Sequence, residues 1–209
     1  MKTPTQAADF DEATRVVPQA QEGRFLSQVH PGWDGPLAPN GGHLAAMLLR
    51  AARAHLNRKY LTPRTLSVHF PRPATHGTAT ITVEAIRVGI GSALLRSEMR
   101  QDDRVCCTAL LTCVSTRTAT LPIQTEAPEA PRWQDTQEFD FGALEGTPAL
   151  FSRMRIRPCF GPPPLSGAGD ALTGGWMELR DDSAPIDFER QVALSDMWWP
   201  AVFGATKEF

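Results

Sequence analysis

Residues 39–57, PNGGHLAAMLLRAARAHLN, decide the fold. Leu44, Met47, Leu48, Ala51, Ala52 and His55 recur at the i, i+3, i+4, i+7, i+8, i+11 spacing of one helical face. Because alanine and leucine are strong helix formers, the run predicts a helix over 43–57. The stretch before it, PGWDGPLAPNGG at 31–42, is dense in turn residues. Asn40 is the natural N-cap, since its side-chain oxygen can accept a first-turn N–H.

Upstream, 24–30 (RFLSQVH) reads as a short strand. Downstream, four segments carry the two-residue period of half-buried strands. In 64–70, Leu66, Val68 and Phe70 alternate with Thr65, Ser67 and His69. In 78–87, Ala79, Ile81, Val83 and Ala85 alternate with Thr78, Thr80, Thr82 and Glu84. Segments 93–100 and 105–114 continue the pattern, and VGIGS and QDDR supply turns. One helix ahead of a meander of antiparallel strands is an α+β order, and an alanine-rich helix face suits close packing on a curved sheet.

Residues 116–148 lose this periodicity and collect prolines and acidic side chains, as a linker does. Beyond them, 150–157 and 174–180 read as strands and 185–203 as a helix, the start of a second lobe. Phe188, Val192, Met197 and Trp199 on that helix have no following strands to cover them.

A net charge of −2, from 21 basic and 23 acidic residues with no block of one sign, gives no footprint for nucleic acid or an anionic membrane. The expected partner is therefore a small molecule. No window approaches the roughly 18 apolar residues of a membrane span, and MKTPTQAADFDEATRV lacks a signal-peptide core, so a cytoplasmic location is expected. Cys106, Cys107 and Cys113 share one strand, where neighbours point to opposite faces; they and Cys159 read as reduced packing thiols. His30, His43, His55, His69 and His76 show no H-x-x-x-H or H-E-x-x-H spacing, so no zinc site is expected. Gly89-Ile90-Gly91 lacks the setting of a dinucleotide loop, and no cofactor is expected.

Two places carry possible chemistry. At Asn40, Gly41, Gly42 and His43 loop becomes helix, and unpaired N–H groups at the positive dipole end can point at an electron-rich carbonyl. The same glycines also fit a tight turn with close helix packing. Asp196 sits among bulky apolar residues in ALSDMWWP, where desolvation would make its carboxylate a stronger general base. Alternatively it faces solvent or caps a neighbouring turn. Trp198 and Trp199 fit either a pocket wall or a core.

GPLAPNGGHLAAMLLRAA followed by LSVHFPRPATHGTATITVEAIRVGIGSALLRSEMRQDDRVCCTALLTCV resembles the first lobe of the TesB-like double hot-dog acyl-CoA thioesterases. The likeness rests on Gly-Gly opening the helix, Phe-x-Arg-Pro at 70–73 and Glu-x-x-Arg at 84–87, and GGWMELR with ALSDMWWPAVF resembles the start of the second lobe. The resemblance implies an α+β hot-dog fold, with a first lobe at 10–116, a linker at 117–148 and a partial second lobe at 149–209. It implies an acyl-CoA or other acyl thioester as partner and Asp196 as the catalytic aspartate, orienting water with a Thr and a Gln. Those two fall beyond Phe209, an absence expected to impair hydrolysis. A non-catalytic acyl-thioester-binding or assembly module is the alternative, and a hot-dog dehydratase would need a His near an Asp or Glu. The uncovered helix and sheet edge lead to an expected homo-oligomer.

Overall fold

Residues 9–116, 125–143, 146–180 and 184–208 are described by the structure, a computed structural model. They fall into two compact units: residues up to 116 together with 184–196, and the described residues from 125 to 180 together with 197–208.

The first unit runs α1 (Phe10–Ala13), β1 (Val16–Pro18), β2 (Arg24–Val29), α2 (Gly41–Leu56), β3 (Leu61–His69), β4 (Gly77–Val88), β5 (Ser92–Gln101), β6 (Arg104–Ser115) and, much later, α3 (Phe188–Leu194). Along α2, Leu44, Met47, Leu48, Ala51 and Ala52 of the expected face are buried while His55 is only partly so, and Ala45, Ala46 and Leu49 outside it are buried too. A helix apolar nearly all round must be covered on more than one side. The sheet covers one side, and Leu44, Met47 and Leu48 join Phe25, Ile81, Leu95, Met99 and Leu111 in the core. Asn57, in the left-handed conformation, closes α2 by donating its N–H to Arg53 O at 3.0 Å.

The six strands are antiparallel in the order β1-β2-β4-β5-β6-β3. The expected meander is therefore broken at β3, which pairs with β6 while β2 takes the place beside β4. The prolines at 71 and 73 and Gly77 lie in the connection that takes the chain from β3, at the sheet edge, to β4, between β2 and β5. Ala79, Ile81 and Val83 are buried as their alternation predicts, but Ala85 is exposed, and β4 bulges just beyond it, between Ala85 and Arg87. The β5–β6 turn places Asp102 and Asp103 at φ 46° and 60°, the positive values a tight two-residue hairpin demands. A register shift after Met99 leaves Cys106 as the extra residue, so Cys106 and Cys107 are both buried rather than divided between faces. Burial pushes the Cys107 thiol up to about 12, fixing it as an inert packing group.

The helix predicted over 185–203 is much shorter. Asp187 caps α3 by accepting the Arg190 N–H at 2.8 Å, and α3 ends at Leu194. Pro200 has no N–H to donate and its ring would clash with a helical carbonyl four residues earlier, so helical structure resumes only as a 3-10 turn, Ala201–Gly204. The uncovered second helix is corrected as well. In this first unit, α3 lies against α2, and its Phe188 and Val192 pack onto the same core. Buried Glu189 takes both oxygens to Arg53 Nη1 at 2.6 Å, and buried Arg190 reaches Asp187 and Asp11 at 2.8 Å each. The Arg190 hydrogen bond is the chief cause holding the Asp11 carboxyl below its usual range.

The second unit contains a hairpin of β7 (Met154–Phe160) and β8 (Gly174–Leu179). Its predicted linker falls partly on 117–124, 144 and 145, outside the described residues, while 125–143 is tied to the hairpin. Phe139 N donates to Ile156 O at 2.8 Å, Trp176 Nε1 donates to Pro131 O at 2.7 Å, and the Arg157 guanidinium lies 4.4 Å over the Trp133 ring. Among the described residues no helix is long and apolar enough to cross a membrane.

Candidate active site

Within the first unit the N-terminus of α2 meets the end of α3, and the meeting point joins two groups singled out in the sequence. Asn40 caps α2: its Oδ1 accepts the His43 N–H at 2.9 Å. Its Nδ2 donates to Asp196 O at 2.9 Å and to Asp196 Oδ2 at 3.2 Å. That same Oδ2 accepts the Gly42 N–H at 2.8 Å. The carboxylate thus sits at the positive end of a 16-residue helix, where negative charge is favoured.

The glycines permit this approach. A Cβ at Gly42 would lie 2.5 Å from Ala193 O and 2.8 Å from Asp196 Cβ, so any side chain there would prise α3 off α2. A Cβ at Gly41 would lie 2.9 Å from Asp196 Oδ2 and 3.1 Å from the Phe70 ring. Phe70, expected in the core, instead lies past the end of β3 and is half-exposed beside Gly41. Its place in the site was not legible from the alternation of its strand.

Three of the first-turn amides of α2 are already engaged. Gly42 donates to Asp196, His43 to Asn40 Oδ1 and Leu44 to Asn40 O. Of the first-turn amides of α2, Gly41 N–H alone has no acceptor among the described residues, so the fan of free donors expected from Asn40 to His43 reduces to one. The His43 ring cannot touch a ligand either: it is fully buried, stacked at 5.1 Å and 6° on Trp33, with both nitrogens unpartnered. Burial, and secondarily the nearby His30, lowers its pKa to about 3, so the ring is neutral near neutrality.

Asp196 departs from the desolvated base expected of its apolar neighbours. It follows the last turn of α3 and is exposed, while Met197 and Trp199 beside it are buried. It both faces solvent and caps a helix, and what distinguishes it is anchorage by one oxygen. Its Oδ1 has no partner among the described residues.

Elsewhere, Asp34 accepts from His76 Nε2 through both oxygens at 2.9 Å, a pairing that residues 42 positions apart do not announce in the sequence. Half of the His76 side chain is exposed, as in a surface ion pair. Among the described residues, no group of three or more His, Cys, Asp or Glu side chains gathers as metal ligands. In the second unit Trp199 packs on Phe139 at 5.2 Å and Phe141 at 5.9 Å, and Trp198 Nε1 donates to Thr173 Oγ1 at 2.8 Å. The tandem tryptophans therefore build that unit's core, and a cavity of about 580 Å³ beside it is lined by Phe139, Phe141 and Phe151 instead.

Residues 29–114 match the family model for the acyl-CoA thioesterase N-terminal domain. No curated protein matches the chain significantly. Among solved structures, a conserved hot-dog protein of unknown function from Alicyclobacillus acidocaldarius is 26% identical, with 96% of this chain and 73% of that chain covered and a TM-score of 0.86. A candidate thioesterase II from Thermobifida fusca is 22% identical over 96% of this chain and 75% of that one, at a TM-score of 0.77. The tesB protein of Mycobacterium avium subspecies paratuberculosis is 19% identical over 90% of this chain and 66% of that one, at a TM-score of 0.66. The wrapped helix, the strand order and these likenesses agree on a hot-dog fold. Over residues 29–114 the chain is thus similar to the acyl-CoA thioesterase N-terminal domain family, and its fold is the hot-dog fold.

Proposed function

We propose that this protein hydrolyses acyl thioesters of the acyl-CoA class, with Asp196 as the base. The observation that carries this reading is the one-sided anchorage of Asp196: Oδ2 is held by Gly42 N–H and Asn40, leaving Oδ1 to take a water. Oδ1 accepts a proton as the water oxygen bonds to the carbonyl carbon, and the carbonyl π pair moves onto oxygen. Gly41 N–H is the donor available to that oxyanion. A preorganised donor of this kind contributes about 3 kcal/mol to the transition state. Collapse restores the carbonyl and breaks the C–S bond, and the thiolate recovers the proton from Asp196, releasing carboxylic acid and thiol. No cofactor enters.

A second reading has its own support. Asp196 is exposed and already serves as a helix cap, which is also what a non-catalytic acyl-thioester-binding module would show. Steady-state thiol release over acyl-CoAs of several chain lengths separates the two. Turnover supports hydrolysis, and calorimetric binding without thiol release supports the binding module.

We assign 10–116 to the first lobe, 117–148 to a connecting segment and 149–209 to a second lobe, because β7, β8 and α3 repeat the order β1, β2 and α2. A cytoplasmic homo-oligomer completes the proposal. With α3 covered, the support is the sheet edge: β3 pairs only with β6 among the described strands, and open edges seek partners. Light scattering should give a multiple of the 22.9 kDa chain, and a monomer mass would end that part of the proposal.

A further inference from the structure

We infer that Asn40 is a positioning residue that fixes the place and the orientation of the Asp196 carboxylate, beyond its service as a helix cap. The inference rests on the reading of Asp196 as the base. The cap needs only one Asn40 atom, Oδ1, which takes the His43 N–H. An N-cap Ser would meet that need equally well. The Nδ2 group is a surplus donor, and both its contacts, at 2.9 and 3.2 Å, are to Asp196. It holds the backbone carbonyl and the carboxylate of one residue together, so it sets where Asp196 lies and how its carboxylate is turned. Asn40 is 9% exposed, so the donor is held by its surroundings even though Asp196 faces solvent.

No charged neighbour in this unit competes with that hold. The groups meeting Asp196 from α2 are Asn40, Gly41 and Gly42, none of which titrates, and Phe70 beside Gly41 is uncharged. The His43 ring is sealed and neutral. On α3, Glu189 and Arg190 are already paired with Arg53, Asp11 and Asp187. Asn40 and the Gly42 N–H are therefore the groups that hold the Asp196 carboxylate in place.

Asn40→Ser separates the two roles, keeping a capping oxygen while removing the amide donor. Thermal unfolding should move little. The Gly42 N–H, which Asp196 Oδ2 now accepts, should lose protection from hydrogen exchange as the carboxylate comes loose. In steady state, kcat for acyl-CoA should fall about tenfold with KM little changed. Asn40→Asp sets a second carboxylate where Nδ2 stood, so it should lose at least as much kcat as Asn40→Ser. Asn40→Ser added to Asp196→Asn should cost no further turnover. An Asn40→Ser protein with wild-type Gly42 exchange and wild-type kcat overturns the inference, as does a loss matched only by a fall in unfolding temperature. Wild-type protein that releases no thiol, yet whose Gly42 exchange still answers to Asn40→Ser, overturns the hydrolytic reading and leaves the clamp standing.

Discussion

Asp196→Asn should lower thiol release from acyl-CoA by roughly 10²–10⁴-fold, the usual worth of a positioned general base. Asparagine keeps the shape of the side chain, and its carbonyl oxygen can still accept the Gly42 N–H that Oδ2 now accepts at 2.8 Å. What it loses is the lone pair that takes the proton from water, because an amide oxygen is too weak a base. The α2–α3 junction should persist, since it also rests on buried Glu189 and Arg190 and on the close approach of Gly42 to Ala193. The unfolding temperature and the calorimetric affinity for acyl-CoA should accordingly stay near wild type while kcat collapses. Were Asp196 only a cap, the pattern would invert, with a lower unfolding temperature and an unchanged turnover number. Equal rates in the two proteins would remove Asp196 from the chemistry.

Local order was legible where burial and periodicity agree. The 3.6-residue stripe from Leu44 to Ala52 and the two-residue alternation through Ile81 and Val83 each report contact with one core. Asn40 was legible as a cap because capping is decided within three residues, and it indeed accepts from His43 N. What depends on partners distant in the chain was not legible. The placing of β3 beside β6 is a pairing of strands distant in the chain, which no strand pattern encodes. The Asn40–Asp196 bonds span 156 positions, and one side-chain amide group makes both.

The site shows the same division. Apolar neighbours suggested a desolvated Asp196, but Met197 and Trp199 turn inward while Asp196 turns out, because the helix has ended before it. Glycines at 41 and 42 suggested free amides, but the closeness they permit admits a carboxylate that consumes one of them. Sequence identified the residues, and the pairing among them emerged only with the fold.

His43 supplies the largest expected effect on stability, and it is tied to pH. An unfolded histidine titrates near 6.5, whereas burial holds His43 at about 3. Above pH 6.5 neither state carries the proton and the residue contributes no pH dependence. Between 6.5 and 3 the unfolded chain gains a proton that the native chain refuses, so stability falls as pH falls; below 3 the loss levels off. At pH 5 the deficit should be about 2 kcal/mol, from 1.36 kcal/mol per unit. His43→Phe keeps an aromatic ring against Trp33, now stacked at 5.1 Å, and removes two buried nitrogens that have no hydrogen-bond partner. Swapping an unsatisfied polar group for an apolar one of similar shape is nearly neutral or stabilising, so the variant should fold. Any steric offset from the larger ring is common to all pH values and cancels in the comparison. Urea unfolding at pH 7 and pH 5 should therefore show wild type losing about 2 kcal/mol more than His43→Phe over that interval. Parallel losses in the two proteins would mean that His43 takes up its proton in the native state, and that its ring is not sealed beneath α2.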